Sequence, residues 1–183
     1  MRSGCLMTLY QELLAEADRL AARLAQRYGR HITCRPGCSG CCHHNLAVFE
    51  VEAAAVRVAL LQLSREMQTV VVGQASGVPA ACPLLVDDRC AIYRSRPLIC
   101  RTQGLPLLIE TEDGTRGVDF CPLNFTLPGA TDDLDEHYLV SLEAVNRKLV
   151  WANLHHCRNA GVALASAGAR RTISDLVLEA GRA

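Results

Sequence analysis

Lysine and aromatic residues are scarce in this sequence, and neither sign of charge is in excess. Lys148 is the only lysine among 19 basic residues, and 19 acidic residues balance them to a formal net charge of zero. A dedicated nucleic-acid-binding protein usually carries a basic excess, so this balance argues against nucleic acid as a partner. Aromatic residues make up 4% of the chain and hydrophobic residues 50%, which predicts a core of leucine, valine and alanine.

Long uninterrupted hydrophobic runs are also missing. The most apolar stretch, residues 51–72, contains four charged side chains, so it cannot cross a bilayer as a single helix. Acidic residues occupy the N-terminal region where a signal peptide needs an uncharged hydrophobic segment, and Met7 fits a translation start as well as Met1 does. We therefore expect a cytoplasmic protein that has no membrane partner.

Cysteine, by contrast, is abundant, with 10 residues in a chain of 183. This length suits a single domain, residues 1–183, and is long enough to bury a core without disulfides. Thiols stay reduced in the cytosol, so clustered cysteines in such a chain point to metal ligation or redox chemistry.

The hydrophobic pattern predicts a mainly α protein, because apolar residues recur at helical spacing and turn-forming residues end the runs. The predicted helices span residues 8–28, 50–74, 135–160 and 172–180. Residues 107–111 and 116–120 flank a Glu-Asp-Gly-Thr turn and predict one β-hairpin. The expected architecture is a small helical domain that holds irregular cysteine-rich loops between residues 34 and 121.

The first cysteine group is Cys34-x3-Cys38-x2-Cys41-Cys42. Glycine and proline in this loop let the backbone fold around an ion, so that several thiolates can reach it. Buried free cysteines are the alternative interpretation, since a free cysteine packs like a small hydrophobic residue. Four cysteines within nine residues, flanked by Pro, Gly, Arg and His rather than by Leu and Val, favour metal ligation.

The adjacent pair Cys41 and Cys42 leaves three arrangements open. Neighbouring side chains of an extended segment point in opposite directions, so both reach one ion only if the backbone is distorted. One of the pair serves a second metal, or the site is polynuclear, or one cysteine is not a ligand. Further ligands come from a second, widely spaced group: Cys82, Cys90, Cys100 and Cys121. These eight thiols are enough for two tetrathiolate sites or for one cluster with thiols in reserve.

Three phrases of the sequence resemble a known family: Cys34-Arg-Pro-Gly-Cys-Ser-Gly-Cys-Cys42, Cys82-Pro-Leu-Leu85 and Cys90-Ala-Ile-Tyr-Arg-Ser-Arg-Pro-Leu-Ile-Cys-Arg101. They are similar to the YkgJ-type cysteine cluster family, whose domain is described as zinc- or iron-chelating and to which a flagellin lysine methylase is distantly related. The resemblance covers roughly residues 34–121 and implies metal binding through the matching cysteines, with Cys121 as the weakest match. It implies no reaction.

Spacing alone does not choose between zinc and an iron–sulfur cluster, because tetrathiolate coordination suits both. Zinc knuckles usually pair two Cys-x2-Cys elements, and only one, Cys38-x2-Cys41, occurs here. Clusters accept three ligands close together and a fourth from afar, which Cys34, Cys38 and Cys41 with a later cysteine would provide. Zinc is the metal we expect, with an iron–sulfur cluster as the alternative.

Basic residues near the cysteines have two interpretations. An arginine could offset the charge of a tetrathiolate site, near minus two with a divalent ion, or remain solvated. The arginines concerned are Arg35, Arg94, Arg96 and Arg101. Of these, Arg101 is the one we expect near sulfur. His43 and His44 are weaker ligand candidates because enough cysteines are present. For His155 and His156, which lie beside Cys157 on one predicted helix, we expect a satisfied histidine and a buried cysteine, because adjacent helical residues point about 100° apart.

Three functions remain open. Loops held by metal would make the chain a structural or interaction module with an unknown protein or small-molecule partner. An iron–sulfur cluster would make it a redox or electron-transfer protein, and kinship with the methylase would make it an enzyme. No nucleophile elbow, phosphate loop or dinucleotide fingerprint supports an enzyme, so the module is the function we expect.

Overall fold

Helices dominate the computed structural model, which describes residues 8–35, 37–77, 81–111 and 113–182. The α-helices of these residues are α1 (Thr8–Tyr28), α2 (Glu50–Leu61), α3 (Arg65–Ala75), α4 (Leu98–Thr102), α5 (Leu142–Ala160) and α6 (Ile173–Ala180). The strands are β1 (Ala47–Val48), β2 (Leu85–Val86), β3 (Arg89–Cys90), β4 (Leu107–Glu110), β5 (Arg116–Asp119), β6 (Val140–Ser141) and β7 (Arg171–Thr172). The predicted mainly α architecture is confirmed. Cys5, Met1 and Met7 lie outside the described residues.

The chain divides into two compact units, and among the described residues each unit is made of separate segments. Unit 1 contains residues 36–97 and 152–183, and unit 2 contains residues 8–35 and 98–151. The single domain expected from the sequence stays a prediction, because compact parts of one chain need not unfold separately. No helix within the described ranges is both long and apolar enough to span a bilayer.

Unit 1 is built on α2, α3 and α6, which surround a core made mostly of valine, alanine and leucine. β1 and β7 pair antiparallel beside these helices. Thr172 caps α6, its hydroxyl accepting a hydrogen bond from the Asp175 N–H (3.1 Å). Cys82 and Cys90 pack, partly buried, against the same core. The helices therefore support the segment that carries these two cysteines.

Unit 2 combines α1 and α4 with a three-stranded sheet. The predicted hairpin is confirmed, since β4 and β5 pair antiparallel with Leu108 opposite Val118. β6, which was not predicted, pairs in parallel with the other side of β4. Arg101 of α4 forms an ion pair with Asp18 of α1 (Nη1 to Oδ2, 2.5 Å).

The single helix predicted over residues 50–74 is wrong, because the segment forms two helices. α2 ends at Leu61, and Ser64 begins α3 by accepting a hydrogen bond from the Met67 N–H (3.2 Å). A serine that satisfies the first N–H groups of a new helix competes with continuation of the old one. The apolar pattern runs on across the break, so periodicity alone could not reveal it.

The helix predicted over residues 135–160 begins later, at Leu142. The residues just before it form β6, where the Val140 N–H donates to the Pro106 carbonyl (3.2 Å). Asp135 caps a short 3₁₀ turn, Glu136–Tyr138, instead of a long helix. Pairing with a strand far back in the chain therefore takes these residues out of the helix.

Candidate metal centre

The first cysteine loop is a tight turn and not an extended segment. Gly40–Cys42 form a 3₁₀ turn, and the Cys42 N–H donates to the Ser39 carbonyl (2.8 Å). Within this turn a side-chain hydrogen bond joins the thiols of Cys41 and Cys42. The adjacent pair therefore does not lie in extended backbone, and the three arrangements left open by the sequence stay open.

Cys82 and Cys90 lie at the two ends of a short hairpin. Cys82 begins a Cys-Pro-Leu-Leu turn in which the Leu85 N–H donates to the Cys82 carbonyl (2.9 Å). β2 and β3 then pair with Leu85 opposite Cys90. The Cys82 N–H donates in turn to the Cys42 carbonyl (2.7 Å). Backbone hydrogen bonds thus bring the hairpin alongside the first cysteine loop.

The turn of this hairpin is made by two aspartates, Asp87 and Asp88, with φ of 49° and 58°. A two-residue loop with both φ values positive is a type I′ turn, whose twist matches the flanking strands. The Ser39 hydroxyl donates to the Asp88 carboxylate (2.7 Å). The turn is therefore tied by a second hydrogen bond to the loop that carries the first cysteines.

Backbone N–H groups point at the sulfur atoms of Cys82 and Cys90. Burial raises the pKa of the Cys82 thiol to about 11 and also raises the pKa of the Cys90 thiol. The Leu84 N–H donates to the Cys82 sulfur and the Ile92 N–H to the Cys90 sulfur, which favours thiolate and acts against burial. The positive charge of Arg96 acts on Cys90 in the same direction.

Five thiols of unit 1 form one group, which we call the five-thiol group: Cys38, Cys41, Cys42, Cys82 and Cys90. Burial raises the pKa of Cys42, and negative charge on Cys82, Cys90 or Cys38 raises it further. Burial and then Cys42 raise the pKa of Cys41. Such mutual effects require the sulfur atoms to lie near one another.

The five-thiol group has the donor atoms of a metal site, but its side chains are not arranged around one ion position. Thiolates are the ligands that zinc and iron–sulfur clusters prefer, so the residues present fit such a metal. Among the residues that the structure describes, however, no three Cys, His, Asp or Glu side chains form a group placed to hold an ion.

The other predicted ligands, Cys34, Cys100 and Cys121, belong to unit 2. Cys100 lies on α4. Cys34 and Cys121 both lie against Gly104: a Cβ placed on this glycine would be 3.1 Å from the Cys34 sulfur and 3.3 Å from the Cys121 Cβ. Gly104 has φ of 85°, which a residue with a side chain rarely adopts. Both cysteines therefore lie against the backbone of Gly104, where no side chain intervenes.

Gly104 and Asn124 were not predicted from the sequence. Asn124 is 1% exposed, and its backbone N–H donates to the Cys121 carbonyl (2.8 Å). Its side-chain Nδ2 donates to the Gly104 carbonyl (2.6 Å) and lies 3.9 Å from the Cys34 sulfur. One sequence signal could have drawn attention to Asn124: the phrase Cys-Pro-Leu begins at both Cys82 and Cys121, and Asn124 follows the second phrase.

The basic residues are arranged differently from the expectation. Arg101 forms its ion pair with Asp18, and its approach to sulfur stays a prediction. The positive charge of Arg96 acts to lower the pKa of the Cys90 thiol. The Arg96 guanidinium also lies over the ring of Tyr93, 4.1 Å from its centre.

The role of the histidines next to the first cysteine loop stays a prediction. His43 and His44 are exposed. Cys157 is fully buried, as expected. The His155 Nδ1 lies within hydrogen-bond distance of the Asn159 amide nitrogen (3.1 Å), whereas the His156 Nδ1 is buried without a hydrogen-bond partner among the described residues.

Comparison with known proteins finds a family model that matches the cysteine-bearing segment. Residues 33–122 match the model of the CxxCxxCC family, described as a "putative zinc- or iron-chelating domain". The resemblance seen in the sequence is thereby confirmed, and it supports metal binding. No curated protein and no solved structure shows significant similarity to the chain.

Proposed function

We propose that this chain binds zinc through cysteine thiolates and acts as a structural or interaction module. The match of residues 33–122 to the model of the CxxCxxCC family supports metal binding. The five-thiol group supplies the ligands of the principal site, because four thiolates complete a tetrahedral zinc site. Cys34, Cys100 and Cys121 are ligands held by unit 2. The partner is a protein or a small molecule.

One observation carries this proposal: two cysteines of one hairpin each receive a backbone N–H from the residue two positions ahead, Leu84 for Cys82 and Ile92 for Cys90. Hydrogen bonds to a charged acceptor are about twice as strong as neutral ones, so these donors gain most when the sulfur is a metal-bound thiolate. Cys157 is arranged the other way, since its thiol donates to the Asn153 Oδ1 (3.8 Å).

The short strands favour a structural role for the metal. β2 and β3 have two residues each, and an isolated two-stranded hairpin is marginally stable in water. Metal ligation adds binding free energy to the folding of the segments that carry the ligands. Zinc would therefore stabilise the hairpin and the first cysteine loop together.

Metal content tests the proposal directly. Protein purified without oxygen should be colourless and contain zinc. Cys82→Ser and Cys90→Ser should each lower the zinc content, whereas Cys157→Ser, which changes a buried cysteine outside the five-thiol group, should leave it unchanged. Equal zinc in all four proteins would contradict the assignment of ligands.

An iron–sulfur protein is the second candidate, because Cys41 is exposed and electron transfer needs an accessible cluster edge. A proline follows both Cys82 and Cys121, as it does one cluster ligand of bacterial ferredoxins. A brown protein with iron and acid-labile sulfide in equal amounts would establish this function in place of the zinc module.

A further inference from the structure

One buried amide, Asn124, connects the segments of unit 2 that carry Cys34 and Cys121. Its Oδ1 accepts hydrogen bonds from the N–H (2.8 Å) and the hydroxyl (2.9 Å) of Thr33, the residue before Cys34. Its Nδ2 donates to the Gly104 carbonyl (2.6 Å). Its backbone N–H closes the turn that begins at Cys121. One side chain therefore fixes three segments that are far apart in sequence.

We propose that Asn124 is the positioning residue of a thiolate pair, Cys34 and Cys121, and that its amide donates to the Cys34 sulfur when that sulfur binds metal. This inference rests on the proposed function. An amide carries two N–H groups, of which one serves the Gly104 carbonyl and the other faces the Cys34 sulfur at 3.9 Å. A thiolate accepts such a bond more strongly than a thiol does, because the bond becomes charge-assisted.

A second buried asparagine shows what a structural amide looks like in this chain. Asn153 is also 1% exposed and also bridges backbone groups, accepting from the Val51 N–H (3.0 Å) and donating to the Ala167 carbonyl (2.7 Å). Its neighbouring sulfur, Cys157, is a donor to the amide oxygen. Asn124 presents an N–H to sulfur and Asn153 presents an oxygen, so Asn124 is arranged for thiolate and Asn153 for thiol.

Gly104 lies against both cysteines of the pair. A methyl group there would meet the Cys34 sulfur at 3.1 Å, a tight contact that the sulfur would have to relieve by moving. The positive φ of Gly104 also makes any side chain unfavourable. Asn124 and Gly104 thus lie beside the Cys34 sulfur, which is otherwise exposed, and ligands held in position bind metal more tightly.

The test is cobalt(II) binding to the full-length chain, measured by chelator competition and by sulfur-to-cobalt absorption. The sulfur-to-cobalt absorption that is lost in Cys34→Ser measures how much of the signal comes from the pair Cys34 and Cys121. Asn124→Ala should weaken cobalt binding by about 10- to 100-fold, the usual effect of losing a residue that orients a ligand, and remove most of that part of the signal. Asn153→Ala, the matched control, should destabilise the fold while keeping the absorption of each bound cobalt.

If Asn124→Ala does not melt cooperatively, two glycine variants test the inference instead. Gly104→Ala should weaken cobalt binding, whereas Gly114→Ala should not, since Gly114 has a similar φ of 80° with no atom within 4 Å of an added Cβ. Unchanged cobalt binding in Asn124→Ala or in Gly104→Ala, or an equal loss in the matched control, would overturn the inference alone. A wild-type chain that binds neither cobalt nor zinc would overturn the proposed function and, with it, this inference.

Discussion

The two Cys-Pro-Leu turns are closed by the same backbone hydrogen bond but have different surroundings. In unit 1 the Leu85 N–H donates to the Cys82 carbonyl at 2.9 Å, and in unit 2 the Asn124 N–H donates to the Cys121 carbonyl at 2.8 Å. The third residue is buried in the first turn and exposed in the second: Leu84 is 1% exposed and Leu123 is 56% exposed. The fourth residue enters a strand in one turn and becomes a buried amide in the other.

The difference shows two ways to hold a thiol. Unit 1 anchors its turn by packing a leucine into a hydrophobic core and by pairing backbone strands. Unit 2 anchors its turn by the polar side chain of Asn124. Apolar burial is non-directional and fixes position loosely, whereas hydrogen bonds fix direction. We therefore expect changes in unit 1 to affect stability most, and changes around Asn124 to affect the orientation of sulfur.

The largest effect should come from truncating the leucine of each turn. Leu84→Ala removes a fully buried side chain and should lower the free energy of unfolding by about 2–5 kcal/mol. Leu123→Ala, at the equivalent position, should change it by less than about 0.5 kcal/mol, because the side chain is exposed. Urea unfolding of the metal-free chain measures both. Equal losses would show that the two turns are anchored in the same way.

In the metal-free chain, where Cys82 is a thiol and not a metal-bound thiolate, alkaline pH should reveal the burial of the first turn. Burial raises the pKa of Cys82 to about 11, so the folded state holds a proton that the unfolded state releases near pH 9. The stability from this proton is complete below pH 9 and is lost as the pH rises through 11, a difference on the order of 2 kcal/mol. Cys82→Ala should shrink the decline in the free energy of unfolding between pH 9 and pH 11. An unchanged decline would contradict the pKa.

A smaller effect should separate the two aspartates of the β2–β3 turn. Glycine adopts positive φ without strain, so both Asp87→Gly and Asp88→Gly relieve the backbone. Only Asp88→Gly also removes the hydrogen bond from Ser39. We expect Asp88→Gly to be less stable than Asp87→Gly by about 0.5–1.5 kcal/mol in denaturant unfolding. The reverse order would show that this hydrogen bond does not stabilise the first cysteine loop.

The smallest effect should come from the β4–β5 turn, where Asp113 bonds only within its own turn. Hydrogen bonds from the Thr111 hydroxyl and from Thr115 lower the pKa of Asp113 to about 2. Their stabilisation is present above the ordinary pKa of 3.8 and is lost as the pH falls through 2. Asp113→Asn should melt slightly below the wild type at pH 7, and this difference should shrink as the pH falls from 3.8 towards 2. A difference in melting temperature that stays constant over this range would contradict this account.

Local signals explain which parts of the fold could be predicted. α1, α6 and the β4–β5 hairpin follow from apolar spacing and turn residues, and the structure places them where expected. The break at Ser64 and the strand β6 were missed. A serine cap resembles an ordinary surface serine in sequence, and β6 forms only because β4 lies beside it. Tertiary pairing overrides local propensity in such places.

The candidate site could be predicted in composition but not in arrangement. Cysteine spacing identifies the metal-binding segment, which the family match supports. Spacing could not assign Cys34 and Cys38 to different units, although they are four residues apart. Nor could it select Asn124, whose contacts with Thr33 join residues about 90 positions apart along the chain. Long-range contacts decide both points, and a single sequence does not display them.

The alternation of the two units along the chain has a consequence for the order of folding. Unit 1 is interrupted by residues 98–151, and α6 and β7, which complete its core and its small sheet, come after that interruption. About 80 residues separate Cys90 from Ile173, and synthesis at 5–20 residues per second covers them in roughly 4–16 s. The five thiols therefore emerge from the ribosome before the helix that covers their supporting core. During that interval, metal captured by the nascent chain would act as a template on which unit 1 assembles.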